Sequence, residues 1–195
     1  IRLNPKMASA YINRAVVYKN KGLLDDALRD LNKAAVLEPK NGQIYSNRAS
    51  IYEKKGLSDQ VLADSNRAIQ WSPQLSRGYN ARGVAYKQRG LLNEALADFN
   101  KAIALEPKNA DAYNNRGTVL GMTNQWDQAL EDFNRAIELQ PGLSEAYNNR
   151  AVIFKNKGQL DRALSDLNKA IQLNPFFPGA YYNRASVYSL KKEED

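Results

Sequence analysis

The sequence predicts an all-α protein made of repeated pairs of antiparallel helices, and three regularities support this fold class. Proline recurs every 34 residues, at Pro5, Pro39, Pro73, Pro107, Pro141 and Pro175. Between the prolines, two stretches carry apolar residues with the period of a helix. A glycine or asparagine separates the two stretches in the same register each time. A fixed period of this length indicates a repeat array, in which each repeat buries its apolar face only against its neighbours.

Five complete repeats align without a gap. Repeats 1 to 5 span residues 8–41, 42–75, 76–109, 110–143 and 144–177, and positions within each are numbered 1 to 34. We expect residues 1–7 to be the tail of an earlier repeat and residues 178–195 to form the first helix of a sixth, repeat 6. The chain is therefore predicted to be a single array.

The first helix of each repeat is predicted from positions 4, 8 and 11, which share one helical face. They carry a large, a small and a large side chain, such as Tyr79, Gly83 and Tyr86 in repeat 3. We expect the helix to end at position 15, where a left-handed residue stops it. That position holds Gly22, Gly56, Gly90, Asn124 and Gly158.

The second helix is predicted to open at position 18, where Asp or Asn meets free backbone donors and the positive end of the helix dipole. Leucine at position 21 and alanine at position 27 form its packing face, as Leu96 and Ala102 do in repeat 3. Proline at position 32 prevents the helix from continuing. Each repeat is thus expected to be two helices with small residues where they cross.

The full motif is visible in repeat 5, which carries Tyr147, Ala151, Phe154, Ala163, Leu167, Ala170 and Pro175. It resembles the tetratricopeptide repeat, and the resemblance covers nearly the whole chain. It implies a right-handed superhelical solenoid whose concave surface is lined by positions 2, 6, 9 and 13 of the first helices. The chain departs from the family in having Tyr for its frequent Trp at position 4 and Arg for its usual Leu at position 7.

Position 7 is arginine in every repeat, although it lies beside the apolar stripe of the first helix. Position 23 is aspartate in every complete repeat, at the border of the packing face of the second helix. We hypothesise an Arg to Asp bridge within or between repeats, because a half-buried charge needs a partner. The alternative is that each Asp pairs with the Lys or Arg three residues further along its own helix.

A row of asparagines marks the face of the first helix opposite the apolar stripe. Position 6 holds Asn13, Asn47, Asn115, Asn149 and Asn183, and position 5 adds Asn80, Asn114 and Asn148. Each amide offers donors and acceptors, so a row of amides can bond the backbone of an extended peptide of any sequence. Ala81 interrupts the row in repeat 3. The alternative is that these side chains only keep an exposed face hydrated.

This row is similar to the asparagine ladder in the repeat region of O-linked N-acetylglucosamine transferases, and the resemblance implies peptide binding at the position 6 asparagines. Lysines at position 12 would favour acidic peptides through electrostatic steering: Lys19, Lys87 and Lys155. We therefore expect a noncatalytic scaffold that binds a protein or peptide in its concave groove. A substrate-selecting segment of a larger enzyme, such as a glycosyltransferase, is an alternative.

The composition argues against several other classes of function. The sequence has no His and no Cys, so no common catalytic triad or zinc site can form, and we expect neither catalysis nor a cofactor. The net charge of +7 is spread over all repeats among acidic residues, which favours a solvated basic surface over a nucleic-acid-binding solenoid. No apolar run approaches the length of a membrane span.

Two further expectations concern partners and compartment. The first helix of repeat 6 has no second helix to cover it, and we expect either a longer natural chain or end-to-end self-association. The absence of cysteine fits both a reducing and an oxidising compartment, so the localisation stays open, with the cytoplasm favoured.

Overall fold

The computed structural model describes the backbone of residues 6–194 and the side chains of residues 6–192, and α-helices are the only regular elements in this part of the chain. They are α1 (Ala8–Asn20), α2 (Leu24–Leu37), α3 (Gly42–Lys54), α4 (Ser58–Trp71), α5 (Ser76–Gln88), α6 (Leu92–Leu105), α7 (Ala110–Met122), α8 (Trp126–Leu139), α9 (Ser144–Asn156), α10 (Leu160–Leu173) and α11 (Pro178–Glu194). The predicted all-α fold of consecutive helix pairs is confirmed. The predicted tail of an earlier repeat, residues 1–7, lies largely outside the described residues.

The helices form two compact units, which divide between Glu106 and Pro107. The N-terminal unit contains α1 to α6 and the C-terminal unit contains α7 to α11. In both units the two helices of a repeat pack against each other, and within a unit the second helix of one repeat also packs against the first helix of the next. Each unit therefore buries its apolar surface by stacking neighbours.

The turn between the two helices of a repeat depends on a left-handed residue, as the sequence predicts. Gly22 has φ 76° and Asn124 has φ 59°. In repeat 1 the N–H of Leu23 donates to the carbonyl of Tyr18 at 2.9 Å, which closes the end of α1 around Gly22. The prediction for position 15 is confirmed in all five complete repeats.

The predicted start of the second helix is wrong by one residue. Helix α2 begins at Leu24, and Leu23 holds the N-cap position without a side-chain hydrogen bond. Asp25, at position 18, lies in the first turn, where its charge still faces the positive end of the helix dipole. Its carboxylate accepts a hydrogen bond from Lys55 of the next repeat at 2.8 Å. The carboxylate therefore links two repeats, a role that the sequence analysis did not foresee.

The cores of repeats 1, 3, 4 and 5 are built around matched side chains at positions 8 and 24. In repeats 1 and 5, alanine at position 8 shares a core cluster with leucine at position 24. In repeats 3 and 4 the pairs are Gly83 with Phe99 and Gly117 with Phe133. A Cβ atom on Gly83 would lie 2.7 Å from Phe99 Cε1. In these four repeats the smaller residue therefore makes room for the larger one across the helix pair.

Candidate functional site

The arginine at position 7 binds the aspartate at position 23 of its own repeat through two hydrogen bonds. In repeat 5, Arg150 Nε and Nη2 donate to the two carboxylate oxygens of Asp166, both at 2.7 Å. The same pair forms in repeats 1 to 4 with nitrogen to oxygen distances of 2.5–2.8 Å. The hypothesised bridge is confirmed, and it lies within repeats. The alternative pairing occurs in addition at Asp64, which also accepts from Arg67 at 3.4 Å.

The same arginines also connect neighbouring repeats. Nη1 of Arg48 donates to Asn32 of the preceding repeat at 2.8 Å, and Arg150 bonds Asn134 in the same way at 2.7 Å. In each repeat the guanidinium lies 5.4–5.8 Å from the centre of the tyrosine ring at position 4. The hydrogen bond to Asp64 raises the pKa of Arg48. These contacts give the arginine an architectural role.

A second set of ion pairs runs along the exposed edge of both units. The basic residue at position 14 binds the aspartate at position 18 of the preceding repeat, as Lys55 binds Asp25 at 2.8 Å and Lys191 binds Asp161 at 2.6 Å. Arg89 and Asp59 form the same pair. The bond to Lys55 lowers the pKa of Asp25. These exposed pairs add little stability individually, but they favour one register between repeats.

The asparagines at positions 5 and 6 form a continuous row of amide hydrogen bonds in the C-terminal unit. Asn183 Nδ2 on α11 donates to Asn148 Oδ1 on α9 at 2.9 Å. Asn148 Nδ2 in turn lies 3.4 Å from Asn149 Oδ1, and Asn149 Nδ2 donates to Asn114 Oδ1 on α7 at 3.0 Å and to Thr118 Oγ1 at 3.3 Å. We call these four asparagines the amide row. It crosses the first helices of three consecutive repeats.

The N-terminal unit carries the same residue at position 6 without the same partners. Asn13 is exposed, and Ala81 replaces the amide in repeat 3. Asn47 is 8% exposed, and its Nδ2 atom has no hydrogen-bond partner among the described residues. In the preceding repeat, position 5 is Ile12, whose side chain has no hydrogen-bond acceptor. The same position holds Asn114 in repeat 4 and Asn148 in repeat 5, and these asparagines do offer an acceptor. Asn80 and Asn115 are half-buried on α5 and α7.

The lysines at position 12 are half-buried in both units. Lys19 Nζ lies 3.4 Å from Ser50 Oγ, and Lys155 Nζ lies 3.5 Å from Ser186 Oγ. Lys19 and Lys155 therefore point towards position 9 of the next first helix. Burial lowers the pKa of Lys87, and the nearby charge of Glu53 opposes this effect. The lysines thus add positive charge to the face that carries the asparagines.

The asparagines of this face keep hydrogen-bonding capacity beyond the bonds that they make to one another. Each amide has two N–H donors and two lone pairs, so a bond to a neighbouring asparagine leaves capacity for a ligand. Among the described residues there is no group of three acidic, His or Cys side chains that could hold a metal ion. Over the same range, none of the helices has the length and apolar character of a membrane span.

Sequence reasoning missed three features of these surfaces. It did not foresee the asparagine at position 25, which accepts from the arginine of the next repeat, or the ion pair between positions 14 and 18. It also did not foresee that the position 6 amide binds position 5 of the preceding repeat. These partners lie 16, 30 and 35 residues apart and recur in several repeats. Recurrence of complementary residue types at those separations was the available signal.

Comparison with known sequences finds the same repeat along most of the chain. Sequence models described as the tetratricopeptide repeat match residues 8–41, 42–75, 110–143 and 144–177. A further model, described as TPR repeat, matches residues 85–124. Together these ranges include well over half of the chain. A search of curated protein sequences found no match.

Solved structures with this architecture resemble the chain at low sequence identity. The TPR protein TTC0263 of Thermus thermophilus is 22% identical with a TM-score of 0.78, over 93% of this chain and 99% of that one. YrrB, described as a TPR protein with an unusual peptide-binding site, is 24% identical with a TM-score of 0.61, over 95% of each chain. A chain of the Cut9-Hcn1 complex gives a TM-score of 0.90 at 20% identity, over 97% of this chain and 38% of that one.

Proposed function

The chain belongs to the tetratricopeptide-repeat family, and from that premise we propose that it is a noncatalytic scaffold that binds an extended peptide across the amide row. The family supplies the scaffold, and one solved structure with the same fold has a peptide-binding site. The amide row supplies the specific contact surface. This proposal extends to the remaining asparagines of positions 5 and 6 and to the lysines of position 12, with the strongest support in the C-terminal unit.

The observation that carries the proposal is the series of hydrogen bonds between side-chain amides that runs from Asn183 through Asn148 and Asn149 to Asn114. Each bond fixes the orientation of an asparagine before any ligand arrives. Preorganised polar groups lose less conformational freedom when a ligand binds, which raises affinity. The donors and lone pairs that remain on these amides suit the alternating N–H and C=O groups of an extended peptide backbone.

The charge of the same face suggests which peptides bind best. Lys155 lies half-buried beside the amide row on α9, and the whole chain carries a net charge of +7. Positive charge near a groove speeds the association of negatively charged ligands more than it tightens the final complex. We therefore propose a preference for acidic peptides that weakens as salt concentration rises.

A peptide array tests the proposal most directly. Wild-type protein and an Asn115→Ala, Asn149→Ala double variant are compared on the same peptides, well below their melting temperatures. We expect the variant to bind about tenfold more weakly, the effect of losing one or two hydrogen bonds. Methylation of alternate backbone nitrogens of a bound peptide should weaken capture more than exchange of its side chains, because the amides contact the backbone.

The matched control is Asn134→Ala. Asn134 is an asparagine of the same unit, but it lies exposed at position 25 and accepts from Arg150. Capture by this variant should equal that of the wild type. Equal capture by the double variant and the wild type would contradict the proposal, as would binding that tolerates backbone methylation.

A further inference from the structure

An open groove of about 580 Å³ lies between α2, α3 and α4 of the N-terminal unit. Its lining includes Ala35 and Val36 of α2, Tyr45 of α3, and Arg67 and Trp71 of α4. Among the described residues that line it, none belongs to the candidate asparagine and lysine positions described above. The groove is therefore a separate surface from the amide row.

Three departures from the repeat pattern meet in this groove. Position 28 is alanine only in repeat 1, whereas the other complete repeats have isoleucine: Ile69, Ile103, Ile137 and Ile171. Position 30 is tryptophan only in repeat 2 and leucine elsewhere. Val36 places an apolar side chain at position 29, where repeats 2, 4 and 5 have Gln or Glu. The small residue opens space, and the tryptophan and valine give that space an apolar wall.

The apolar wall is exposed in the structure. Val36 is 83% exposed and Trp71 is 39% exposed. Lys40 Nζ lies 5.5 Å from the centre of the Trp71 ring, so a cation covers part of the indole. Contiguous exposed apolar side chains at a concave site are characteristic of interaction surfaces.

Cationic side chains border this wall. Two arginines, Arg48 and Arg67, line the groove, and none of the described lining residues is acidic. The charges of Arg48 and Asp64 compensate each other through two hydrogen bonds, and the Glu38 carboxylate accepts one from Asn41. The Arg67 side chain is 55% exposed, contacts Asp64 at 3.4 Å and lies 5.7 Å from the centre of the Tyr45 ring. It is therefore available for an additional carboxylate.

We propose that this groove is a second binding surface, which takes a short acidic peptide segment with a leucine or phenylalanine between its carboxylates. The apolar side chain occupies the space beside Ala35 and contacts Trp71 and Val36. The flanking carboxylates lie near Arg67 and Lys40. Apolar burial supplies most of the affinity, and the charges select the acidic sequence.

The corresponding surface of repeats 4 and 5 provides an internal comparison. Ile137, Glu138 and Leu173 hold the positions of Ala35, Val36 and Trp71. Glu138 adds a carboxylate, which accepts from Arg135 at 2.6 Å. A larger side chain and a negative charge make that surface unsuitable for an acidic peptide with an apolar centre. Residues there serve as matched controls.

Trp71 fluorescence reports on the groove directly. The second tryptophan is replaced by Trp126→Phe, a mild change because its buried Nε1 has no hydrogen-bond partner among the described residues. The probe is the capped peptide Glu-Asp-Leu-Phe-Asp-Glu. We expect a saturable change in Trp71 emission. Binding should be at least about tenfold weaker for Glu-Asp-Ser-Ser-Asp-Glu and for Lys-Lys-Leu-Phe-Lys-Lys.

Two variants test the shape and the charge of the groove. Ala35→Ile places the residue of the sister repeats into the open space, so the fold should be retained while binding weakens at least about tenfold. Arg67→Glu should weaken binding to a similar extent. Lys169→Glu, the same charge reversal at the equivalent position of repeat 5, should have no effect.

Several outcomes would overturn this inference. One is the absence of a saturable emission change up to about 1 mM probe, the limit of weak binding. Another is unchanged affinity in Ala35→Ile. An emission change on diluting the protein alone would show that a second copy of the chain occupies the groove. Asn149→Ala should not alter binding of the probe. A wrong proposal for the groove can therefore be distinguished from a wrong proposal for peptide binding at the amide row.

Discussion

Asn47 and Asn149 hold the same position in repeats 2 and 5, yet only Asn149 donates to a neighbouring first helix. Asn47 Nδ2 has no acceptor among the described residues because Ile12 stands where the C-terminal unit has asparagine. The two units share the Arg to Asp pairs and the glycine turns. The difference teaches that the environment of a repeat residue is set by the preceding repeat as much as by its own.

Removal of the position 7 arginine should have the largest effect, and it tests what the two units share. Arg150→Leu leaves Asp166, 8% exposed, as a buried carboxylate that has lost both bonds of its ion pair. Arg48→Leu leaves Asp64, 3% exposed, with only the 3.4 Å contact to Arg67. We expect each change to cost about 3–5 kcal/mol of unfolding free energy, since breaking a buried pair strands a charge. Calorimetry gives the stability, and amide exchange of the surrounding helices assigns the loss to one unit.

The exposed ion pairs provide the control for this comparison. Lys55→Met and Lys157→Met remove pairs on the outer edge of the two units, where water compensates the lost contact. Their effect should be far smaller than that of either arginine change. A neutral or stabilising effect of Arg48→Leu or Arg150→Leu would mean that the buried bridge is not needed for stability.

Addition of a methyl group at position 8 should have the next largest effect, again similar in both units. The new Cβ would lie 2.7 Å from Phe99 Cε1 in Gly83→Ala and 2.9 Å from Phe133 Cε1 in Gly117→Ala. Overpacking of this kind costs about 1–3 kcal/mol. The measurement is the free energy of unfolding of each variant.

A second substitution separates overpacking from other effects. Phe99→Leu in the Gly83→Ala background recreates the alanine and leucine pair found in repeats 1 and 5. Stability should recover at least in part, whereas Phe99→Leu alone should be destabilising because it leaves a void. Simple addition of the two single effects would exclude a steric coupling between these positions.

Several features shared by both units could be predicted from the sequence. The proline period and Gly22 indicated where helices end, because these residues act on the local backbone. Arg150 and Asp166 could be paired because a charge beside an apolar stripe needs a partner. The acceptor of Asn149 and the groove around Ala35 could not be predicted in this way, since both depend on which side chains neighbouring helices bring together.

Truncation of the position 6 asparagine should give the smallest effect, and it should separate the two units. Asn149→Ala removes hydrogen bonds to Asn114 and Thr118, so we expect a loss of about 1 kcal/mol. Asn47→Ala removes a buried donor that has no partner among the described residues and adds a better helix former. Its stability should stay within about 0.5 kcal/mol of the wild type or rise. Chemical unfolding measures both free energies. Equal losses in the two variants would mean that the Asn47 amide is as well satisfied as that of Asn149, and the contrast between the units would then be wrong.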